Sequence, residues 1–342
     1  MIKIAIDAMG GDNAPQAVFD GVLRALDAYK DIEIHLYGDE KALKNLPDMF
    51  DDRLIRIPTT EVIKGEDEPV KAVRRKKDAS MVVAAKAVRE GKADVLLSAG
   101  NTGALLTTGL LVVGRIKGVD RPGLMPVIPT INEKSPHLIL MDAGANAESK
   151  AEHLLQYAQL ASYYAESVLK IEQARVGLVN NGTEAGKGDE LRKQAYQLLN
   201  QASSLNFVGN IEAKDLLNGQ VDIAVTDGFT GNAILKTLEG SLKSIFKLLK
   251  RTLSESSITN KIGGLLIKPS LKKMAENFDD SKQGGAVLLG VKKPVIKAHG
   301  SADDIAIYHA IRQAREIVLS GFSEEISTFF ENSDKNDRQI RK

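Results

Sequence analysis

The stretch Asp94-Val-Leu-Leu-Ser-Ala-Gly100-Asn-Thr-Gly103-Ala-Leu-Leu-Thr-Thr-Gly109-Leu-Leu-Val-Val-Gly114 carries no charge after its first residue. It has the length of a membrane span, which needs roughly 20 mostly apolar residues. Ser98, Asn101, Thr102, Thr107, Thr108 and four glycines argue against that reading. A buried strand, a glycine turn and a buried helix fit better. The same succession recurs on both sides. Apolar runs at Ile2 to Asp7, Ile32 to Gly38, Leu54 to Pro58, Asp94 to Ala99, Leu138 to Asp142, Val176 to Asn180 and Val221 to Asp227 each precede a turn signal. Helical patterns lie at Gln16 to Tyr29, Ser80 to Glu90, Ala151 to Leu169, Asp189 to Asn200, Asn232 to Leu253 and Asp303 to Ser320. Strands without polar alternation, separated by helices, predict an α/β fold whose largely parallel sheet is covered on both faces.

Nothing resembling a linker divides the 342 residues, so one α/β domain over 1–332 with a single continuous sheet is expected. Residues 232–278 hold two helical stretches without a strand between them, which predicts a protruding helical hairpin. The polar tail 333–342 is expected to fray. With 43% hydrophobic and 27% charged residues the chain can bury a sizeable core. Lys plus Arg total 46 against 45 acids, so no chain-wide basic field exists to hold nucleic acid. The absence of Cys removes disulfides, thiolate metal sites and any enzyme thiol nucleophile. The N-terminus does not read as a signal peptide, so a cytoplasmic location is expected.

Glycine-rich turns at strand ends carry the chemical signal, because helix N-termini outside the carboxyl ends of parallel strands present free N–H groups to anions. Five such turns are legible: Asp7 to Pro15, Ser98 to Gly103, Asn180 to Asp189, Asp227 to Asn232 and Lys297 to Ser301. The first lacks G-x-G-x-x-G, and a tight capped turn explains it nearly as well. The second offers small residues with Asn101 and Thr102 as donors and suits phosphate. A capped helix packed closely on its strand explains it equally. The third adds Lys187 inside a Gly-flanked loop without the Ser or Thr of a P-loop, and a solvated surface lysine is the plain alternative. The fourth and fifth read as capped Gly turns or as donors to a bound oxygen. Their convergence at strand ends predicts a site.

The strings IAIDAMGGDNAP, SAGNTGALL, DAGAN, VNNGTEAGKG, TDGFTGN and KAHGSADD, in this order, resemble the PlsX family of phosphate acyltransferases over nearly the whole chain. The resemblance implies acyl transfer from acyl carrier protein to inorganic phosphate. The acyl phosphate formed would feed a membrane glycerol-phosphate acyltransferase in phospholipid synthesis. It also implies a homodimer and a three-layer α/β/α sandwich like the isocitrate and isopropylmalate dehydrogenases. No cofactor or metal is expected. On this reading Asn101, Thr102 and Gly103 hold phosphate and Lys187 offsets its charge. Asn232, with Asp227, Gly228, Thr230 and Gly231, serves the oxyanion, and His299 is an electrostatic or donor residue. With no Cys, direct attack of phosphate on the thioester in a ternary complex is the simplest route.

Rival readings are a phosphotransacetylase acting on short acyl-CoA, a metal-dependent decarboxylating dehydrogenase, for which no clustered Asp ligands are legible, and a non-catalytic membrane-surface scaffold. Arg74 and Lys77 belong to a basic run that is either a solvated helical face or a dock for an acidic carrier protein. In the predicted hairpin, Leu235, Leu238, Leu242, Ile245 and Leu249 step by 3 and 4, a seam suited to a paired helix. Between Lys250 and Ala275 six Lys or Arg face one acid, Glu255, a net of +5. Leu265, Leu266, Ile267 and Lys268 lie in this segment, and reversible peripheral binding to an anionic membrane through Gly263 to Met274 is expected.

Overall fold

The computed structural model describes residues 1–50, 52–255, 267–271 and 284–340. In chain order the elements are β1 (Ile2–Asp7), α1 (Gln16–Ala28), β2 (Ile32–Gly38), α2 (Glu40–Leu43), β3 (Leu54–Pro58), α3 (Pro69–Arg75), α4 (Ser80–Arg89), β4 (Val95–Ser98), α5 (Thr102–Thr108), β5 (Gly123–Met125), β6 (Val127–Pro129) and β7 (His137–Met141). There follow α6 (Ala151–Ser167), β8 (Arg175–Asn180), α7 (Glu190–Gln201), β9 (Asn206–Glu212), β10 (Ile223–Val225), α8 (Gly228–Glu255), β11 (Ala286–Leu289), β12 (Val295–Lys297), α9 (Asp304–Leu319) and α10 (Phe322–Ile340). The uncharged stretch after Asp94 is strand, turn and helix, as its sequence predicts, and α5 ends in a π turn over Gly109–Val113.

The expected continuous sheet is instead two hydrogen-bonded sheets. One runs β3-β2-β1-β4-β12-β11-β5, the other β6-β7-β10-β8-β9. Parallel pairing dominates both, with antiparallel pairs at β12–β11, β11–β5 and β6–β7. The break falls at Pro126, between β5 and β6, where the chain has no N–H to donate to a ladder. β5 pairs into one sheet and β6 into the other. Two backbone bonds, Ala143 N to Leu124 O at 2.8 Å and Leu140 N to Pro126 O at 3.2 Å, keep the halves joined there.

Alternate strand residues enter different cores. Ile4, Ile6, Val95 and Leu97 join Val22, Leu26, Ile307 and Ile311 of α1 and α9 on one face. Ala5 and Leu96 join Met81, Val82 and Leu105 of α4 and α5 on the other. In the second sheet, Ile139 and Val176 pack with Leu154 and Tyr157 of α6, while Leu138, Leu140 and Ala224 pack with Ile234 and Leu235 at the root of α8. The result is three layers, helix on sheet on helix. Beyond that root α8 runs on with Ile245 and Leu248 more than half exposed. In the segment expected to meet the membrane, Leu265, Leu266 and the rest of Gly263 to Met274 outside Ile267 to Leu271 lie outside the described residues. Ile267 and Lys268 are exposed and helical. Among the described residues no helix is long and apolar enough to cross a membrane.

Candidate active site

Two buried carboxylates organise the turns at the strand ends. Asp7, closing β1, accepts the Ser80 hydroxyl at 2.6 Å, the Ser98 hydroxyl at 2.7 Å and the Met9 amide at 3.2 Å. Burial pushes its carboxyl above the usual range, against these donors. The turn after β1 is drawn so tightly onto the turn after β4 that a Cβ at Gly10 would lie 2.6 Å from the Gly100 nitrogen. Asp12 N donates to Gly300 O at 2.7 Å, adding the turn after β12. The Asp7 to Pro15 string is therefore a brace beneath the site.

Asp142, closing β7, is fully buried. It accepts the amides of Leu124, Gly144 and Ala145 on Oδ1, and the amide and side-chain nitrogen of Asn146 on Oδ2, all at 2.8–3.0 Å. Burial raises this carboxyl too. The helix start of α8 is pressed onto it. A Cβ at Gly228 would meet Asp142 Oδ2 at 2.6 Å, and one at Gly231 would overlap the Asp142 carbonyl oxygen. Side chains at either position would lift α8 off β7.

These braces bring three of the predicted turns to one cavity of about 590 Å³, lined among others by Thr102, Gly144, Asn232, Lys236, Lys297, His299, Gly300 and Ser301. Asn232 is exposed there beside Gly144, and its amide makes no hydrogen bond among the described residues. His299 Nδ1 lies 2.9 Å from the Ser301 hydroxyl and accepts the Ser301 amide at 3.2 Å. That amide bond assigns the ring proton of a neutral imidazole to Nε2. Burial holds the His299 pKa below its ordinary value, so the ring is a neutral donor at pH 7.

Lys297 is the site residue that the sequence reading passed over, although it opens the KAHGS string. Only 9% exposed, it donates from Nζ to Ala99 O at 3.1 Å and to the Ala298 carbonyl. Burial, with Lys236 adding to it, pushes its pKa down to about 8 against the pull of Asp12 and Asp7. An ammonium has three donors. Two hold the turns after β4 and β12 together, which leaves one for a ligand in the cavity. The signal in the sequence is a charged residue closing the apolar run Pro294-Val-Ile.

The other expected residues are placed differently. Asn101 caps α5, accepting Ala104 N at 3.0 Å, and its Nδ2 donates to the carbonyls of Lys64, Gly65 and Asp67. Its side chain thus pins the 64–67 loop, with Nδ2 already engaged by carbonyls, whereas Thr102 is exposed to the cavity. Asp227 accepts the Thr230 amide at 2.9 Å, the Thr230 hydroxyl at 2.8 Å and the Arg192 guanidinium. Burial alone would raise its pKa, but these partners hold it below the ordinary range. The Gly231 amide donates to Asp227 O. Asp227, Thr230 and Gly231 therefore build the start of α8, and of their turn Asn232 reaches the cavity. Lys187 is exposed on the loop after β8, packed over Gly182, and does not line this cavity. Arg74 and Lys77 are exposed on α3 and just past its end. Among the described residues no group of three or more His, Asp or Glu gathers to hold a metal ion.

The family profile described as "Fatty acid synthesis protein" matches residues 2–325. The chain belongs to this family. A phosphate acyltransferase from Streptococcus uberis is 55% identical over 330 residues, covering 96% of this chain and 98% of that one. One from Lacticaseibacillus casei is 51% identical, covering 96% of each. At this identity the chain is an acyltransferase. Among solved structures, a branched-chain phosphotransacylase from Enterococcus faecalis superposes with a TM-score of 0.59 at 15% identity, over 93% of this chain and 99% of that one. A 4-hydroxythreonine-4-phosphate dehydrogenase from Klebsiella pneumoniae gives 0.51 at 14% identity, over 93% and 99%. Such distant likenesses establish the fold, and the expected α/β/α class is the one found.

Proposed function

We propose that this acyltransferase moves a fatty acyl group from acyl carrier protein to inorganic phosphate, releasing acyl phosphate to a membrane glycerol-phosphate acyltransferase. The observation that carries the reading is the buried Lys297 ammonium facing a cavity shared with Asn232, His299 and Thr102. A tetrahedral dianion suits that set: one point charge, neutral donors and the turn after β12. Phosphate already carries negative charge at neutral pH, so holding it near the carbonyl matters more than deprotonating it. A phosphate oxygen attacks the thioester carbon, the C–O bond forms and the C–S bond breaks with its electron pair on sulfur. A thiol of pKa roughly 8.5 leaves as thiolate with little acid assistance. In this reading Asn232 and His299 Nε2 donate to the carbonyl oxygen as it gains charge.

The purified chain is expected to convert long-chain acyl carrier protein and phosphate to acyl phosphate with a kcat/KM well above that for short acyl-CoA. Preference for the short acyl-CoA would make it a phosphotransacetylase instead. Lys187→Ala tests whether the exposed loop after β8 takes part: a raised phosphate KM places it in the reaction, and unchanged KM and kcat remove it.

We further propose a homodimer paired along α8, whose seam residues Leu238, Leu242, Ile245 and Leu249 are part-exposed to exposed in one chain. Sedimentation of the purified chain measures this directly, and a monomer would discard it. Peripheral binding to anionic membrane in the cytoplasm rests on the net +5 of residues 250–275 and on exposed Ile267 and Lys268. Leu265→Glu with Leu266→Glu should abolish flotation with anionic liposomes while activity persists. Equal flotation of variant and wild type would discard the tip.

A further inference from the structure

A second cavity of about 800 Å³ is lined by Gly103 and by Gly144 to Asn146, next in the chain to Thr102 and Ala143 of the first. Gly144 lines both chambers. The second differs in chemistry from the first. Leu106, Leu110 and Leu288 give it an apolar wall, and on its charged side Arg115, Arg121 and Lys150 outnumber Asp120 and Glu152. Arg121 and Lys150 are exposed and make no ion pair among the described residues, while Arg115 donates to the Asp120 carbonyl.

Pro69 also lines this cavity, and it is the first residue of α3. It sits hard on the turn after β4, since a Cβ at Gly103 would lie 2.7 Å from Pro69 Cγ. The helix that opens at the cavity mouth carries exposed Lys71, Arg74 and Arg75. Of these, only Lys71 approaches an acid, Glu68 at 3.8 Å, among the described residues. Val70, Leu110 and Leu111 are exposed apolar groups, the first on α3 and the others on the π turn after α5.

We propose that this second cavity holds the acyl-thioester arm of the donor. The fatty chain lies against Leu106, Leu110 and Leu288, the phosphodiester of the arm meets Arg115, Arg121 and Lys150, and the acidic carrier protein docks on the basic face of α3. The thioester then lies at Gly144, where the chambers meet, with phosphate on the Lys297 side. Both substrates are held at once, which a direct displacement requires. This inference rests on the carrier-linked donor proposed above.

The test uses the full chain, a thioether analogue of the long-chain acyl phosphopantetheine arm that cannot react, and steady-state turnover. Leu110→Trp, at a partly exposed site that tolerates bulk, should weaken binding of the analogue by about tenfold or more, as a blocked apolar pocket does. It should cost long-chain donors more than short ones while leaving phosphate KM unchanged. Arg121→Glu with Lys150→Glu should raise KM about tenfold for carrier- and CoA-linked donors but not for acyl-pantetheine, which lacks the phosphate. Arg74→Glu with Arg75→Glu should raise KM for the carrier-linked donor alone. Unchanged affinity of the analogue for Leu110→Trp overturns the proposal, as does a penalty equal for long and short chains. A CoA donor hurt as much as the carrier by the α3 variant overturns the carrier dock. If wild type binds the analogue in this cavity yet makes no acyl phosphate, the reaction assigned above fails and the chain-binding cavity stands.

Discussion

Replacing Asn232 with alanine is expected to lower kcat by about 10²- to 10³-fold, the usual loss on removing one donor to a developing oxyanion. The expectation comes from position: the side chain stands at the cavity in the first turns of α8, beside Gly144, with no side-chain hydrogen bond to release among the described residues. For the same reason the melting temperature should hardly move. The KM for donor and for phosphate should change little, because the interaction is made mainly once the carbonyl oxygen carries charge. Steady-state kinetics with a thermal melt of the same preparation decide it. Near wild-type turnover would remove Asn232 from the reaction, and a large fall in melting temperature would make its role structural.

Lys297→Met should reduce kcat/KM for phosphate by about ten- to a hundredfold, since a hydrogen bond to a charged group contributes about 1.5–3 kcal/mol. In the wild type this parameter should also fall as pH rises through about 8, where the ammonium loses its proton. The linkage runs the other way for stability. The folded pKa of about 8 lies below that of an unfolded lysine, about 10.4, so the unfolded chain binds the proton more tightly. Burying the charge therefore costs stability below pH 8, and the cost fades as pH rises between these values. A methionine does not carry that cost, so weaker phosphate use without a matching loss of stability at pH 7 separates binding from folding. Lys297→Arg should keep the charge and lose the alkaline limb. Persistence of that limb in Lys297→Met would assign it to another group.

All seven strand segments read from the sequence are strands; β4, β7, β8 and β10 stand out as nearly unbroken apolar runs buried on both faces, and β1, β2 and β3 keep an apolar majority around Lys3, Glu33, His35 and Arg56. The five missed strands give weaker signals. β9 is an edge strand in which Ile211 alone is buried, and β5, β6, β11 and β12 have only three or four residues each, too short to stand out as runs. Pro126 marks the sheet break, but a proline signals an interruption without saying whether a strand continues beyond it. The glycine turns were legible because each joins an apolar run to a helical one. Their convergence was not: Ser98 and Lys297 meet because β4 and β12 are neighbours, nearly 200 residues apart in the chain. The same pairing buries Lys297, which as a string of letters is one lysine among many. Asp142 was legible as part of a family string, but its role as a hub depends on Leu124 arriving from β5 and Gly228 from the start of α8.

The saturated lone pairs of Asp142 bear on the proton traffic of the reaction. A carboxylate offers about four acceptor sites, and five donors already fill those of Asp142. Asp227 is likewise occupied by Thr230 and Arg192, and Glu239 in the cavity wall is held by Lys236 at 2.8 Å. None of these three acids is free to accept a proton from a nucleophile, and His299 presents an N–H rather than a lone pair. Asp303, another acid lining the cavity, caps α9 by accepting the Ala306 amide. In the displacement proposed above, the charge that forms the new bond therefore arrives with phosphate and departs with sulfur. In such a displacement the protein is a fixed scaffold of dipoles, and no hydrogen changes owner in the step that matters.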